Sequence, residues 1–192
     1  MDYSKEEISL VTRPFPAHYA ILGLLIERPC HGYELSSRLS AALGPVWRVA
    51  RSRLYLALRR MEEEGWVTET TQVQANRPDR RTYSVTPAGA EAFWRWAQAP
   101  VRHVRDARVE LLAKLDFLHR LAPERLAPFI DGQLAFLDRL RRRFAAKEGL
   151  PMDDPVIARL ALRFRLGQVE SLIGFLRIAE KELLGADEGR IS

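Results

Sequence analysis

Apolar and polar residues follow two different periods along this chain. From 17 to 26 the apolar residues are nearly continuous, which predicts a buried helix that Pro29 closes. Pro29-Cys30-His31-Gly32 reads as a turn. A second helix over 32–43 then buries Leu35, Leu39 and Leu43 at steps of four, and Gly44-Pro45 ends it. A third helix over 51–64 carries Leu54, Leu58 and Met61 on one stripe, with Gly65 as its stop. Beyond it the texture turns to threonine and valine with alternation. Segments 67–73 and 81–85 read as strands around a polar turn at 74–80. Thr86-Pro87 sets a capping hydroxyl before a proline at the first helical position. The fourth helix so begun runs toward Trp96, with Ala90, Phe93, Trp94 and Ala97 as its expected core stripe.

Past Pro100 the pattern is helical throughout, over 106–120, 123–147 and 154–184, with breaks at Pro123 and Gly149-Leu150-Pro151. The middle segment repeats Leu126, Ile130, Leu134, Leu137, Leu140 and Phe144. The last repeats Val156, Leu160, Phe164, Val169, Leu172, Leu176, Ala179 and Leu183. Stripes this long must be buried, and a second copy of the same region is the obvious cover. The expected fold is mainly α with a small β-hairpin wing. A winged helix-turn-helix over 14–98 precedes a helical dimerisation domain over 99–186, with flexible tails at 1–13 and 187–192.

Composition narrows the function classes. The chain has 192 residues, of which 47% are hydrophobic and 29% charged, and a formal net charge of +5, which suits an anionic partner. The apolar run near the start is too short to span a bilayer and no secretory signal precedes it, so a cytoplasmic protein with no membrane partner is expected. His18, His31, His103 and His119 show no metal spacing, and no phosphate loop or nucleophile elbow appears. No catalysis, cofactor or metal is expected. The single cysteine, Cys30, reads as buried and inert, and His31 to Glu34 has capping-box spacing.

The third helix carries the chemistry. With Leu54, Leu58 and Met61 inward, the opposite side holds Ser52, Leu56, Arg59 and Glu63, flanked by Arg53 and Arg60. Every charged residue from 38 to 60 is an arginine: Arg38, Arg48, Arg51, Arg53, Arg59 and Arg60. Such a stretch suits the phosphate-lined groove of double-stranded DNA, and arginine also grips guanine edges. Ser52 and Arg53 are the candidates for base readout, and Leu56 for a thymine methyl. In the wing, Arg77, Arg80 and Arg81 are candidates for the DNA backbone or the minor groove.

A longer composite joins these parts. It runs from Ala20-Ile21-Leu22-Gly23-Leu24-Leu25 through Pro29-Cys30-His31-Gly32-Tyr33-Glu34-Leu35, Gly44, Trp47, Leu54-Tyr55 and Leu58. It continues with Met61 to Val67 and closes with Arg77-Pro78-Asp79-Arg80-Arg81-Thr82-Tyr83-Ser84-Val85-Thr86-Pro87-Ala88-Gly89. In order and spacing, residues 17–97 resemble the PadR family of regulators, and the C-terminal half resembles its longer subfamily in length and helical pattern. The resemblance implies a homodimer reading a palindrome, repression as the usual mode, and Tyr55 against a phosphate. Some relatives bind aromatic or drug-like effectors near the dimer interface. Trp94, Trp96, Phe164, Leu172 and Leu176 are accordingly candidates for an effector site or dimer interface, with Trp96 expected to lie off the core face. Leu56 stands where the family commonly has proline. The competing reading is a winged-helix adaptor that binds protein rather than DNA.

Sequence alone yields one prediction. Arg53→Ala weakens binding and relaxes specificity at one base position, whereas Arg80→Ala weakens all duplexes alike and lowers the salt slope. Binding isotherms of both variants across salt and sequence check it; identical profiles for the two would refute these roles.

Overall fold

The structure is a computed structural model that describes residues 16–44, 49–72, 80–148 and 155–185. The chain divides into two compact units, residues 1–97 and 98–192. The predicted tails at 1–13 and 187–192 lie outside the described residues.

In the first unit, α1 (Pro16–Glu27) is the central element, with every residue from Ala20 to Leu22 and Leu24 to Leu25 buried. Against it pack α2 (Gly32–Leu43) and α3 (Arg51–Glu63), which bury Leu35, Leu39 and Leu43, and Leu54, Ala57, Leu58 and Met61. These are the stripes expected from the sequence, with Ala57 added.

The hairpin β2 (Val67–Gln72) and β3 (Arg80–Val85) pairs Val67 with Val85 and Gln72 with Arg80. Much of the predicted turn at 74–80 lies outside the described residues. Residues 30–31 differ from expectation. They are not only a turn but a short strand, β1 (Cys30–His31), antiparallel to β3 in a three-stranded sheet of order β1-β3-β2. Two residues are too few to show a period. Their strand character comes wholly from pairing with Tyr83 and Thr82, some fifty positions downstream.

The end of α3 is locked by a Schellman turn. Gly65 has φ +70°, its N–H donates to Glu62 O (3.0 Å), and Trp66 N–H donates to Met61 O (2.7 Å). This turn also anchors α4 (Pro87–Gln98). The Thr86 hydroxyl donates to Gly65 O (2.7 Å) and accepts from Gly89 N–H (3.1 Å), so it caps α4 while holding the α3 terminus. Gly89 lies so close that a Cβ there would collide with the backbone carbonyl of Trp66.

In the sheet, Cys30, Tyr83 and Glu69 form a cross-strand row. Burial, reinforced by a hydrogen bond to Glu69 and its negative charge, pushes the Tyr83 hydroxyl up to about 12. Burial likewise raises the Cys30 thiol, with Arg38 opposing.

The second unit comprises a 3-10 turn (Val104–Asp106), α5 (Ala107–Leu121), another 3-10 turn (Pro123–Arg125), α6 (Leu126–Glu148) and α7 (Val156–Leu184). Helices α6 and α7 pack along each other, over a core that includes Phe117, Leu118, Ile130, Leu137, Val169 and Leu176. Two buried polar side chains fasten the segment after α4. Gln133 accepts from Val101 N–H (2.6 Å) and donates to Val101 O (3.2 Å). Lys114 donates to Ala99 O (2.6 Å) and pairs with Glu110 (2.8 Å). Burial lowers the Lys114 pKa, and the Glu110 carboxylate counters it, so the charge is compensated where it sits. Among the described residues no helix is long and apolar enough to cross a membrane.

Two predictions follow from this packing. Gly89→Ala forces α4 away from Trp66 and destabilises the fold by about 1–3 kcal/mol, read as a lowered Tm. Tyr83 keeps its proton in the fold to about pH 12 against a usual value of 10.0. Its contribution is therefore complete below pH 10 and is lost as pH rises toward 12, an erosion of about 2–3 kcal/mol. Denaturant titrations across that range show this slope in the wild type and not in Tyr83→Phe; equal slopes would contradict it.

Candidate nucleic-acid interface

With Leu54, Ala57, Leu58 and Met61 inward, α3 presents Arg51, Ser52, Arg53, Tyr55, Leu56, Arg59 and Arg60 to solvent. Leu56 is 51% exposed, on the side of the helix opposite the core stripe. Most of the terminal charges run against the helix macrodipole, with Arg60 in the last turn the one that favours it. No acid stands in the first turn, which instead holds Arg51 and Arg53, while Glu62 and Glu63 sit at the carboxyl end. Each misplaced charge costs about 0.3–1 kcal/mol at an exposed terminus. A helix that gives up stability to gather cations at its positive end is arranged for an anionic partner, not for its own folding. Neither Arg53 nor Arg59 forms an ion pair among the described residues.

The start of α2 supports this face. The Tyr55 ring lies over Gly32, its hydroxyl 2.9 Å from where a Cβ would stand, so a side chain there would push the ring aside. Tyr55 remains 47% exposed, with packing on one side and solvent on the other. The Arg51 guanidinium lies 5.0 Å from the centroid of the Tyr33 ring. The one arginine of α2 points inward: Arg38 binds Glu27 (2.5 Å) and reaches Arg28 O and Cys30 Sγ, both at 3.5 Å.

The remaining site candidates fall in different places. Arg48 and Arg77 lie outside the described residues, and Arg80 is the first residue of β3. Arg81 is exposed but pairs with Glu69 (3.4 Å), which offsets part of its charge. The expected capping box at His31 does not form. His31 occupies the cap position without a side-chain cap bond; its Nδ1 instead faces Thr82 Oγ1 (3.1 Å), and Glu34 pairs with Arg28. Pairing of β1 with β3 turns the His31 ring to the sheet, away from the helix terminus.

Trp96 also differs from expectation. It is buried, stacked on Tyr19 at 4.9 Å with an interplanar angle of 4°. Trp94 is half-buried, edge-on to Phe93 at 5.0 Å. The buried stripe of α4 is Gly89, Phe93, Trp96 and Ala97. Both this stripe and the expected one satisfy helical spacing, and the close approach of Gly89 to Trp66 selects between them.

Phe164, Leu172 and Leu176, all on α7, separate as well. Leu176 is core, whereas Phe164 (67% exposed) and Leu172 line a groove of about 640 Å³ between the start of α5 and α7. Arg108, Arg163 and Phe175 share that groove. Below it, Val156, Ile157 and Leu160 stand exposed along the first turns of α7. Sequence reasoning gave Tyr33 no role and did not find Lys114 or Gln133. Their importance lies in long-range partners that carry no local signal.

Comparison with known proteins bears on this N-terminal unit. Residues 21–95 match the sequence model of the transcriptional regulator PadR-like family. The chain is 36% identical over 90 residues to the probable transcriptional regulator Rv1176c of Mycobacterium tuberculosis, a match covering 47% of this chain and 48% of that protein. It is 28% identical over 119 residues to the negative transcriptional regulator PadR of Bacillus subtilis, covering 60% of this chain and 64% of that protein. The matches thus span between about half and two thirds of these relatives. A crystal structure of Bacillus subtilis PadR in complex with operator DNA aligns at 22% identity over 87% of this chain and 98% of that one, with a TM-score of 0.41. Over residues 21–95, this chain is therefore similar to the transcriptional regulator PadR-like family.

Proposed function

We propose that the protein is a sequence-specific DNA-binding transcriptional regulator acting as a homodimer on a palindromic operator. The observation that carries this reading is the exposed arginine face of α3, with Arg51 and Arg53 at the positive end of the helix and no ion pair at Arg53 or Arg59 among the described residues. Arg51, Arg53 and Arg59 meet phosphates and guanine edges, Ser52 a base edge or phosphate, Leu56 a thymine methyl, and Tyr55 a phosphate beside Gly32. Arg48 and the wing arginines Arg77, Arg80 and Arg81 are further candidates for the DNA backbone by their place in the sequence. The Bacillus subtilis relative is a negative regulator, which favours repression, in which the bound dimer occupies its operator.

The second copy docks on Val156, Ile157 and Leu160, an apolar strip left exposed among the described residues. Phe164 ends that strip and opens the neighbouring groove. There the faces of Phe164 and Phe175 and the charges of Arg108 and Arg163 suit a small aromatic effector, an acid in particular. Occupancy of the groove releases the operator. No membrane, metal or catalytic step enters this reading.

Selection of random duplexes by the purified protein at two salt concentrations tests it, with sedimentation of the wild type and Leu160→Glu alongside. The expected result is an enriched palindrome whose half-sites lie about one helical turn apart, bound by a dimer that Leu160→Glu converts to a weakly binding monomer. Absence of any enriched sequence at either salt would favour the protein-binding adaptor, and a dimer that survives Leu160→Glu would move the interface elsewhere.

A further inference from the structure

We infer that Tyr33 is a positioning residue for DNA recognition: its ring is the platform that holds the Arg51 guanidinium at the amino end of α3. The inference rests on the reading that α3 contacts DNA, and adds which residue outside α3 sets that contact. Tyr33 is 66% exposed, so its ring contributes little to the core. An aromatic ring displayed on the second residue of α2 needs another reason to be there, and the guanidinium 5.0 Å from its centroid supplies one.

The choice of an aromatic partner has a chemical consequence. A carboxylate would hold Arg51 equally well but would cancel the charge that DNA must meet. A π-face attracts the cation through its quadrupole and leaves the full positive charge and all N–H donors for the nucleic acid. The acid beside Tyr33 in sequence, Glu34, is engaged by Arg28. Arg51 has no ion pair among the described residues.

The geometry also explains why one platform suffices. Arg51 and Tyr55 lie one turn apart on α3, and both reach the start of α2, at Tyr33 and Gly32 respectively. The two contacts fix the same helix face against the same terminus. Fixing the side chain before DNA arrives removes part of the ordering cost that a free arginine would incur on binding.

A double-mutant cycle tests this with a fluorescent duplex bearing the palindrome enriched in the selection. Tyr33→Leu weakens binding about two- to fivefold, the range expected of an exposed cation–π contact. Tyr33→Phe restores wild-type affinity, because the ring and not the hydroxyl is used. In the Arg51→Ala background, Tyr33→Leu has no further effect, since the group it positions is gone. Thermal unfolding of each variant confirms that the fold is kept. A full loss from Tyr33→Leu in the Arg51→Ala background would show that Tyr33 meets DNA itself and overturn the inference. So would a Tyr33→Phe variant as weak as Tyr33→Leu. Both results would leave the regulator reading standing, whereas failure of the wild type to bind any duplex would defeat that reading first.

Discussion

Burial of Leu54, Ala57, Leu58 and Met61 fixes the rotation of α3 about its own axis, and every outward feature of the helix depends on it. At about 100° per residue, a core arc on those positions leaves Ser52, Leu56 and Arg59 pointing directly away. Arg51, Arg53 and Tyr55 fall on the flanks. A rotation by one position would bury an arginine and expose a leucine, at a cost of several kcal/mol. The same apolar contacts that stabilise the first unit therefore also determine what its surface can recognise.

Two further constraints make that face rigid. At the carboxyl end of α3, the Gly65 turn, the Thr86 hydroxyl and the close approach of Gly89 to Trp66 tie helix, strand and α4 together. At the amino end, Tyr33 and Gly32 receive Arg51 and Tyr55. The wing is stiffened differently. Its inner row carries Tyr83, whose hydroxyl is held protonated by burial and by Glu69, and Glu69 in turn reaches Arg81. A pair such as Arg81 with Glu69, exposed on the arginine side, adds little stability. Its effect is to restrain a side chain and to reduce the positive charge of the strand at that point.

The C-terminal unit meets a different physical demand. A helix of 29 residues buries Val169, Ile173, Leu176 and Ala179 yet exposes Val156, Ile157, Leu160 and Phe164, so its apolar length exceeds what the described residues cover. Inside the unit, Lys114 and Gln133 use buried polar contacts on the backbone at Ala99 and Val101. Hydrogen-bonding the main chain fixes it in one place more specifically than apolar packing does, and compensates the cost of burying an amide and a charge.

Much of this was legible in the order of residues. Period and punctuation determined the helices, the hairpin and the inward stripe of α3, because each depends on neighbours within one or two turns. They also determined the arginine face, which follows from that stripe. The threonine cap of α4 and the stop at Gly65 were equally local. Tertiary structure alone decided which of two equally periodic stripes of α4 is buried, and so placed Trp96 against Tyr19. It turned residues 30–31 into a strand, drew His31 from a cap to Thr82, and folded Arg38 inward. It likewise gave Tyr33 and Lys114 partners in other segments. The division has one physical cause: propensity, capping and amphipathic period are short-range and written in consecutive residues. A stacked ring, a buried amine or a two-residue strand has meaning only through atoms that the fold brings from distant positions in the chain.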